Sequence, residues 1–348
     1  LVTASNQRDQ WPRVTWGLVP SRVQWLFWSL GIGLGAVIGA PQSATSEPEP
    51  EFVAEPKESE TEKIIRLQIF LDEQAFGPGK IDGMMGQFTR KAVAHYNVLF
   101  GLGYNNFIRV LSESSALIKQ NYTTYTVSEG DFKFVGNVPF EPEEQAEIDY
   151  LYYRSIQEFV AERYHTDHYF LASINPEINW DEVVAGTELR VPNVTPFVIE
   201  DLARNKSYPK DKKLSKRMII VDTSQKLAAI WEKKKLIATF PITPGEEKFI
   251  HRGKWKIWNM ITTPVFRWDK SMLETGERSN EFFELPPGPN SPIGILWTGI
   301  SKAGIGLHGT ALPETIGRSH SAGCIRLANW NVVRLPSLIR PGATVEIR

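Results

Sequence analysis

A single cysteine, Cys324, stands among 348 residues. That excludes an internal disulfide, and in an oxidising compartment a lone thiol is a liability unless its chemistry is used. Net charge is nearly absent as well: 39 Lys and Arg stand against 40 Asp and Glu, leaving no global field toward nucleic acid or an anionic membrane. The six histidines show no ligand spacing with carboxylates, so no metal centre is indicated. What remains is ordinary globular material, 42% hydrophobic and 23% charged, in a length that suggests two or three domains.

The first segment, residues 1–22, is basic through Arg8, Arg13 and Arg22, and it precedes an uncharged apolar run, Val23–Ala40. An acidic, polar linker follows over 41–60. This is the layout of an export signal. At about 1.5 Å per residue the run barely spans a hydrocarbon core of roughly 30 Å. It reads as a retained anchor or a cleaved signal. Pro41 after Ala40, and Gln42 before a cut at Ala44, favour the anchor.

Residues 61–101 read as helix, tight loop, helix: Ile64, Leu67, Ile69, Phe70 and Leu71 mark the first helix and Phe88, Ala92, Val93 and Tyr96 the second, around "FGPGKIDGMMG". Asp82 reads as a turn and cap residue. The stretch "IDGMMGQFTRKAVAHY" resembles the second half of the small helical peptidoglycan-binding domain. Residues 122–195 resemble a LysM-type carbohydrate-binding module: "YTVSEGD" opens it, "LASINP" follows two short helices, and "GTELRVP" closes it. It departs from that pattern by an acidic, aromatic insertion, Phe132 to Ile156. His165 and His168 read as surface histidines without a third ligand.

From residue 216 to 348 the texture is that of strands, with turns at "TSQK" and "EKKK" and one or two helices, one of them near "ANWNVVRLPSLI". Within this part lies "GLHGTALPETIGRSHSAGCIRL". A thiolate attacks an acyl carbonyl well when a base is within hydrogen-bond reach and donors wait for the oxyanion. His308, on an apolar segment flanked by glycines, is the candidate base, and Gly309 permits close backbone approach. Cys324 follows Gly323 in a tight turn whose two N–H groups can converge on an oxyanion. Proximity to His308 and those donors is expected to lower the thiol pKa below its free value of about 8.5.

The stretch H-G-T, about a dozen residues, then S-A-G-C-I-R resembles the active-site signature of the L,D-transpeptidases, the YkuD-like domain. The resemblance covers roughly Arg217 to Arg348. It implies a mainly β, α+β catalytic domain, preceded here by a small all-α peptidoglycan-binding domain and a small α+β LysM-like module. It further implies Cys324 as nucleophile, His308 as base, Ser321 and Gly323 completing the site, and Arg326, Gly309 and Thr310 at the substrate. Ala322 stands where histidine is common in the family. His320 falls one residue before the motif. The implied reaction on peptidoglycan stem peptides needs no metal or organic cofactor: a thioester forms with loss of D-Ala and an amine resolves it, giving 3→3 cross-links. With water as acceptor the outcome is an L,D-carboxypeptidase or a cross-link hydrolase; a non-catalytic peptidoglycan-binding protein is the other alternative. The implied location is the periplasm or cell envelope, with residues 23–40 as a possible inner-membrane anchor.

Overall fold

A computed structural model describes residues 58–104 and 106–348. The basic segment, the apolar run 23–40 and nearly all of the acidic linker lie outside the described residues. Among the described residues no helix is long and apolar enough to cross a membrane. Ser59–Arg348 form one compact unit.

Three helices come first: α1 (Glu60–Glu73), α2 (Gln87–Leu99) and α3 (Phe107–Leu117). Ser59 caps α1, its hydroxyl accepting from the Glu62 N–H at 3.2 Å. Burial of every residue from Leu67 to Asp72 shows that the C-terminal half of α1 is enclosed on all sides, while Glu60 and Thr61 at its start are exposed. The α1–α2 turn is fixed by Gln68, whose side chain donates to Asp82 at 2.9 Å and accepts from the Asp82 and Gly83 amides. Next come β1 (Tyr122–Thr126), α4 (Pro142–Ala146), α5 (Ile156–Arg163), α6 (His168–Ser173) and β2 (Glu188–Pro192). Strands β1 and β2 pair antiparallel and enclose the helices in sequence.

The C-terminal part contains β3 (Met218–Asp222), β4 (Leu227–Glu232), β5 (Lys235–Pro241), β6 (Gly253–Thr262), β7 (Phe266–Trp268), α7 (Lys270–Thr275) and β8 (Phe283–Leu285). It continues with β9 (Leu296–Ile300), β10 (Gly306–His308), β11 (Ile325–Arg326), α8 (Asn329–Val332), α9 (Leu335–Leu338) and β12 (Thr344–Ile347). Eight strands form one sheet in the order β11-β10-β9-β6-β12-β3-β4-β5, while β7 and β8 pair separately as a hairpin. Helix α7 was not foreseen in the sequence: its apolar content is too low for a periodic signal, and a local device, Asp269 accepting from the Met272 N–H, starts it.

The sheet curls until its two edges meet. Just past β5, Thr243 exchanges N–H···O bonds of 2.9 Å in both directions with Arg326 of β11. Ser321 continues the seam by donating its N–H to Pro244 O and accepting from the Glu246 N–H. The remaining edge of β5 is covered by Ala75–Gly77, with Gly77 N–H to Thr239 O at 2.8 Å. Strand β4 is therefore buried on both faces, and reads as a continuous apolar run. One apolar core runs through all three parts, from Ile65 and Ile69 through Phe159 and Leu189 to Phe240 and Trp330.

His165, expected at the surface, is buried at 1% exposure. Its Nδ1 lies 2.9 Å from Asp72 Oδ2, and Arg334 reaches the same oxygen at 2.6 Å. The ring also stacks on Trp330 at 5.6 Å. Histidine is tolerated there because the carboxylate satisfies its N–H and an aromatic covers its face. His168 is exposed, as expected.

The insertion that interrupts the LysM-like pattern is docked, not dangling. Leu151 donates its N–H to Pro287 O at 2.9 Å and accepts from the Asn290 N–H at 3.1 Å. Val138 and Leu151 form a small core with Leu285, joined by Phe266, Trp268 and Phe283 of the β7–β8 hairpin.

Candidate active site

His308 ends β10 and Cys324 precedes β11, and the two strands run parallel with His308 opposite Arg326. Side chains two apart on a strand share a face, so the seam brings the thiol, imidazole and guanidinium to one cleft of about 850 Å³. Arg204, Trp297 and the β7–α7 segment also line it.

The imidazole is held from two directions. Its Nδ1 lies 2.6 Å from Gly309 O, an atom that can only accept, so Nδ1 carries the hydrogen and Nε2 the free lone pair. Trp297, the antiparallel partner of His308 on β9, stacks on the ring at 5.8 Å and 20°. Burial, reinforced by the Arg326 charge, pushes His308 down to about 4. The ring is therefore neutral near neutral pH and able to accept a proton.

Gly323 has φ +108°, where a side chain is strained, and a Cβ on Gly245 would lie 2.5 Å from Gly323 Cα. The seam thus needs glycine on both sides. The Ser321 hydroxyl donates to the Cys324 carbonyl and fixes the turn. Among the described residues the Gly323 and Cys324 N–H groups find no acceptor.

The thiol state differs from the sequence expectation. Burial pushes Cys324 up to about 11, outweighing the Gly306 backbone hydrogen bond and the Arg326 charge that favour the thiolate. The Cys324 thiol lies 3.5 Å from the Gly304 carbonyl, which it meets as a donor. His308 cannot supply a compensating charge because it is itself neutral. Alkylation of Cys324 in the free protein should accordingly rise about tenfold per pH unit from pH 7 to about 10. A plateau below pH 8.5 would contradict this placement of the proton.

Arg326 braces the turn through its NH1, 3.5 Å from His320 O. Its Nε is buried without a partner among the described residues, which leaves a donor for an incoming anion. His320 is exposed and does not line the cleft. Gly309 and Thr310 were expected at the substrate, yet neither lines the cleft. A Cβ on Gly309 would lie 2.0 Å from Asn329 Oδ1, and the Thr310 hydroxyl accepts from the Leu312 N–H. Both shape the backbone behind His308.

Sequence reasoning missed Trp297, Arg204 and Asn329. Asn329 is fully buried and donates to Glu162 Oε1 at 3.0 Å, so a carboxyl on α5 supports the backbone beside His308. Burial raises Glu162 to about 8, against hydrogen bonds from Tyr153 and Asn329. No local pattern marks these residues, because each acts through strand pairing or a contact distant in sequence.

Residues 216–347 match the family model of the L,D-transpeptidase catalytic domain, YkuD. A Bacillus licheniformis protein carrying the name L,D-transpeptidase YkuD is 26% identical over 191 residues, 55% of this chain and 92% of that relative. A Bacillus subtilis protein of the same name is 42% identical over 59 residues, which span 36% of its length. Among solved structures, an L,D-transpeptidase from Mycobacterium smegmatis overlaps 38% of this chain and 58% of its own, at 15% identity and TM-score 0.32. The C-terminal part of the chain carries a YkuD-type L,D-transpeptidase catalytic domain.

Proposed function

We propose that this domain acylates Cys324 with a peptidoglycan stem tetrapeptide and passes the acyl group to an amine. The supporting observation is a neutral His308 with Nδ1 anchored and Nε2 free, in one cleft with Cys324. Nε2 takes the thiol proton as sulfur attacks the carbonyl of the third residue. The oxyanion is received by the free N–H groups of Gly323 and Cys324. The intermediate collapses by breaking the C–N bond, and the imidazolium gives its proton to departing D-Ala. A thioester remains. The side-chain amine of another stem then attacks it, loses a proton to His308 and restores the thiol, leaving a 3→3 cross-link. The chemistry is complete with thiol, base and amide donors, without metal or organic cofactor.

The same reading assigns residues 61–101 to peptidoglycan binding, supported by the Gln68-fixed turn between α1 and α2. It assigns 122–195 to a LysM-like fold, supported by the β1–β2 pair around α5 and α6. Export to the cell envelope, with or without anchoring by residues 23–40, belongs to it too. The test is incubation of residues 59–348 with a defined stem tetrapeptide and an acceptor stem, products being identified by mass. A 3→3 dimer with free D-Ala is expected. Tripeptide alone would mean hydrolysis, and unchanged peptide with retained wall binding would mean a non-catalytic binding protein.

A further inference from the structure

The cleft is cationic beyond the thiol. Arg204, Arg267, Arg278 and Arg326 line it, against the carboxylate of Asp269. That carboxylate is already engaged, by Arg267 at 2.7 Å and by the Ser279 N–H and hydroxyl. Arg204 differs from Arg267 in having no carboxylate partner among the described residues. Its guanidinium lies over the Tyr150 ring, 4.8 Å from the centroid.

Neither residue belongs to the matched catalytic segment. Arg204 sits on the connection between β2 and β3, which is stitched along β6. Thr262 donates its hydroxyl to Ala203 O at 2.5 Å, Asn205 N–H reaches Thr263 Oγ1 at 2.9 Å, and Tyr208 N–H reaches Met260 O at 3.0 Å. Asn205 adopts φ +51°, a bend that places this connection at the cleft rim. Tyr150 belongs to the insertion, is 4% exposed and meets Tyr152 edge-on at 4.9 Å. A guanidinium with one face on a buried ring keeps its N–H edges for a planar anion.

We infer that Arg204, bedded on Tyr150, is a specificity residue that binds a carboxylate of the donor stem on the sugar-proximal side of the scissile bond. This rests on the proposed function. Arg326, beside Cys324, is placed for the terminal carboxylate two bonds beyond the scissile nitrogen; of the other two cleft arginines without a carboxylate partner among the described residues, Arg204 and Arg278, Arg204 is the one bedded on a buried ring. The insertion that breaks the LysM-like pattern thereby acquires a purpose: it supplies the floor of this subsite. Stems whose carboxylate there is amidated should be poorer donors.

The test compares wild type with Arg204→Gln, Arg204→Lys and Tyr150→Leu on the free-acid stem and on two donors, each amidated at one sugar-proximal carboxylate. Arg204→Gln should raise KM about tenfold on the free acid with kcat within about twofold, and should cost nothing on one of the amidated donors. Arg204→Lys should recover part of the loss, and Tyr150→Leu should follow Arg204→Gln more weakly. Equal loss on all donors would mean a structural role, and no loss would mean no subsite; either overturns the inference. Calorimetric binding of the same donors to the Cys324→Ala protein, with and without Arg204→Gln, gives the same comparison without turnover. If wild type releases no D-Ala but binding still depends on Arg204 and the free carboxylate, the proposed reaction fails while the subsite stands.

Discussion

His308→Ala should lower D-Ala release by roughly 10³-fold, while His320→Ala stays within about twofold of wild type. The two residues have opposite surroundings. His308 is 3% exposed, ends a strand, has Nδ1 bonded to Gly309 O and lies against Trp297. Its remaining nitrogen can therefore face a proton donor in the cleft. His320 is exposed, and its carbonyl meets the Arg326 guanidinium at 3.5 Å. Because the free thiol is protonated near neutral pH, attack depends on transfer of that proton, and removing the base removes its acceptor. Thermal melts should show both variants folded. Comparable losses in the two variants, or the reverse ranking, would show that the base has been misassigned.

Asp72→Ala should destabilise residues 59–348 by about 3 kcal/mol, read as a lower urea midpoint. Asp72 is buried at 1% exposure and is shared by His165 from the middle of the chain and Arg334 near its end. Burial pushes its carboxyl up, but the Arg334 guanidinium and His165 outweigh this and hold it well below the usual carboxylate range. Removing it strands a partly buried cation and a buried N–H. The sign with pH follows. A depressed carboxyl stabilises fully above about pH 4 and loses that contribution on acidification below it. His165 is lowered by burial and stays neutral when folded, so the unfolded chain gains a proton first as pH falls below about 6.5. Asp72 and His165 therefore both withdraw stability on acidification, while Glu162, raised to about 8, adds stability as pH falls below that value. The readout is the difference between the two proteins, wild type showing a loss below about pH 4 that Asp72→Ala lacks. An unchanged midpoint at pH 7 would remove Asp72 from the joint between the helical and catalytic parts.

That Cys324 and His308 share one cleft was legible because the motif is local: H-G-T and S-A-G-C-I-R sit on consecutive elements, and the glycines announce close backbone approach. The strands at "RMIIVD" and "KLAAIWE" were legible as short apolar, β-branched runs bounded by turn residues, and "GATVEIR" from its alternation. What resisted reading was whatever depends on who pairs with whom. Trp297 matters because it stands opposite His308 across β9 and β10. His165 looked like a surface residue because its partners Asp72 and Arg334 are far away in sequence. The Cys324 proton was misplaced for a related reason: neighbours in sequence suggest charge stabilisation, whereas burial is a property of the closed seam. Gly309 and Thr310 were legible as members of the motif; the packing of Gly309 against the Asn329 side chain was not, because that contact is made across the fold.

The central claim, that Cys324 is acylated by a stem peptide, is most directly tested by intact-protein mass after brief incubation with the tetrapeptide and an acid quench. The expected result is a tripeptidyl adduct that maps to Cys324, appears with one equivalent of D-Ala and is absent from Cys324→Ala. D-Ala release that persists in Cys324→Ala, or an adduct mapped to another residue, would contradict the account.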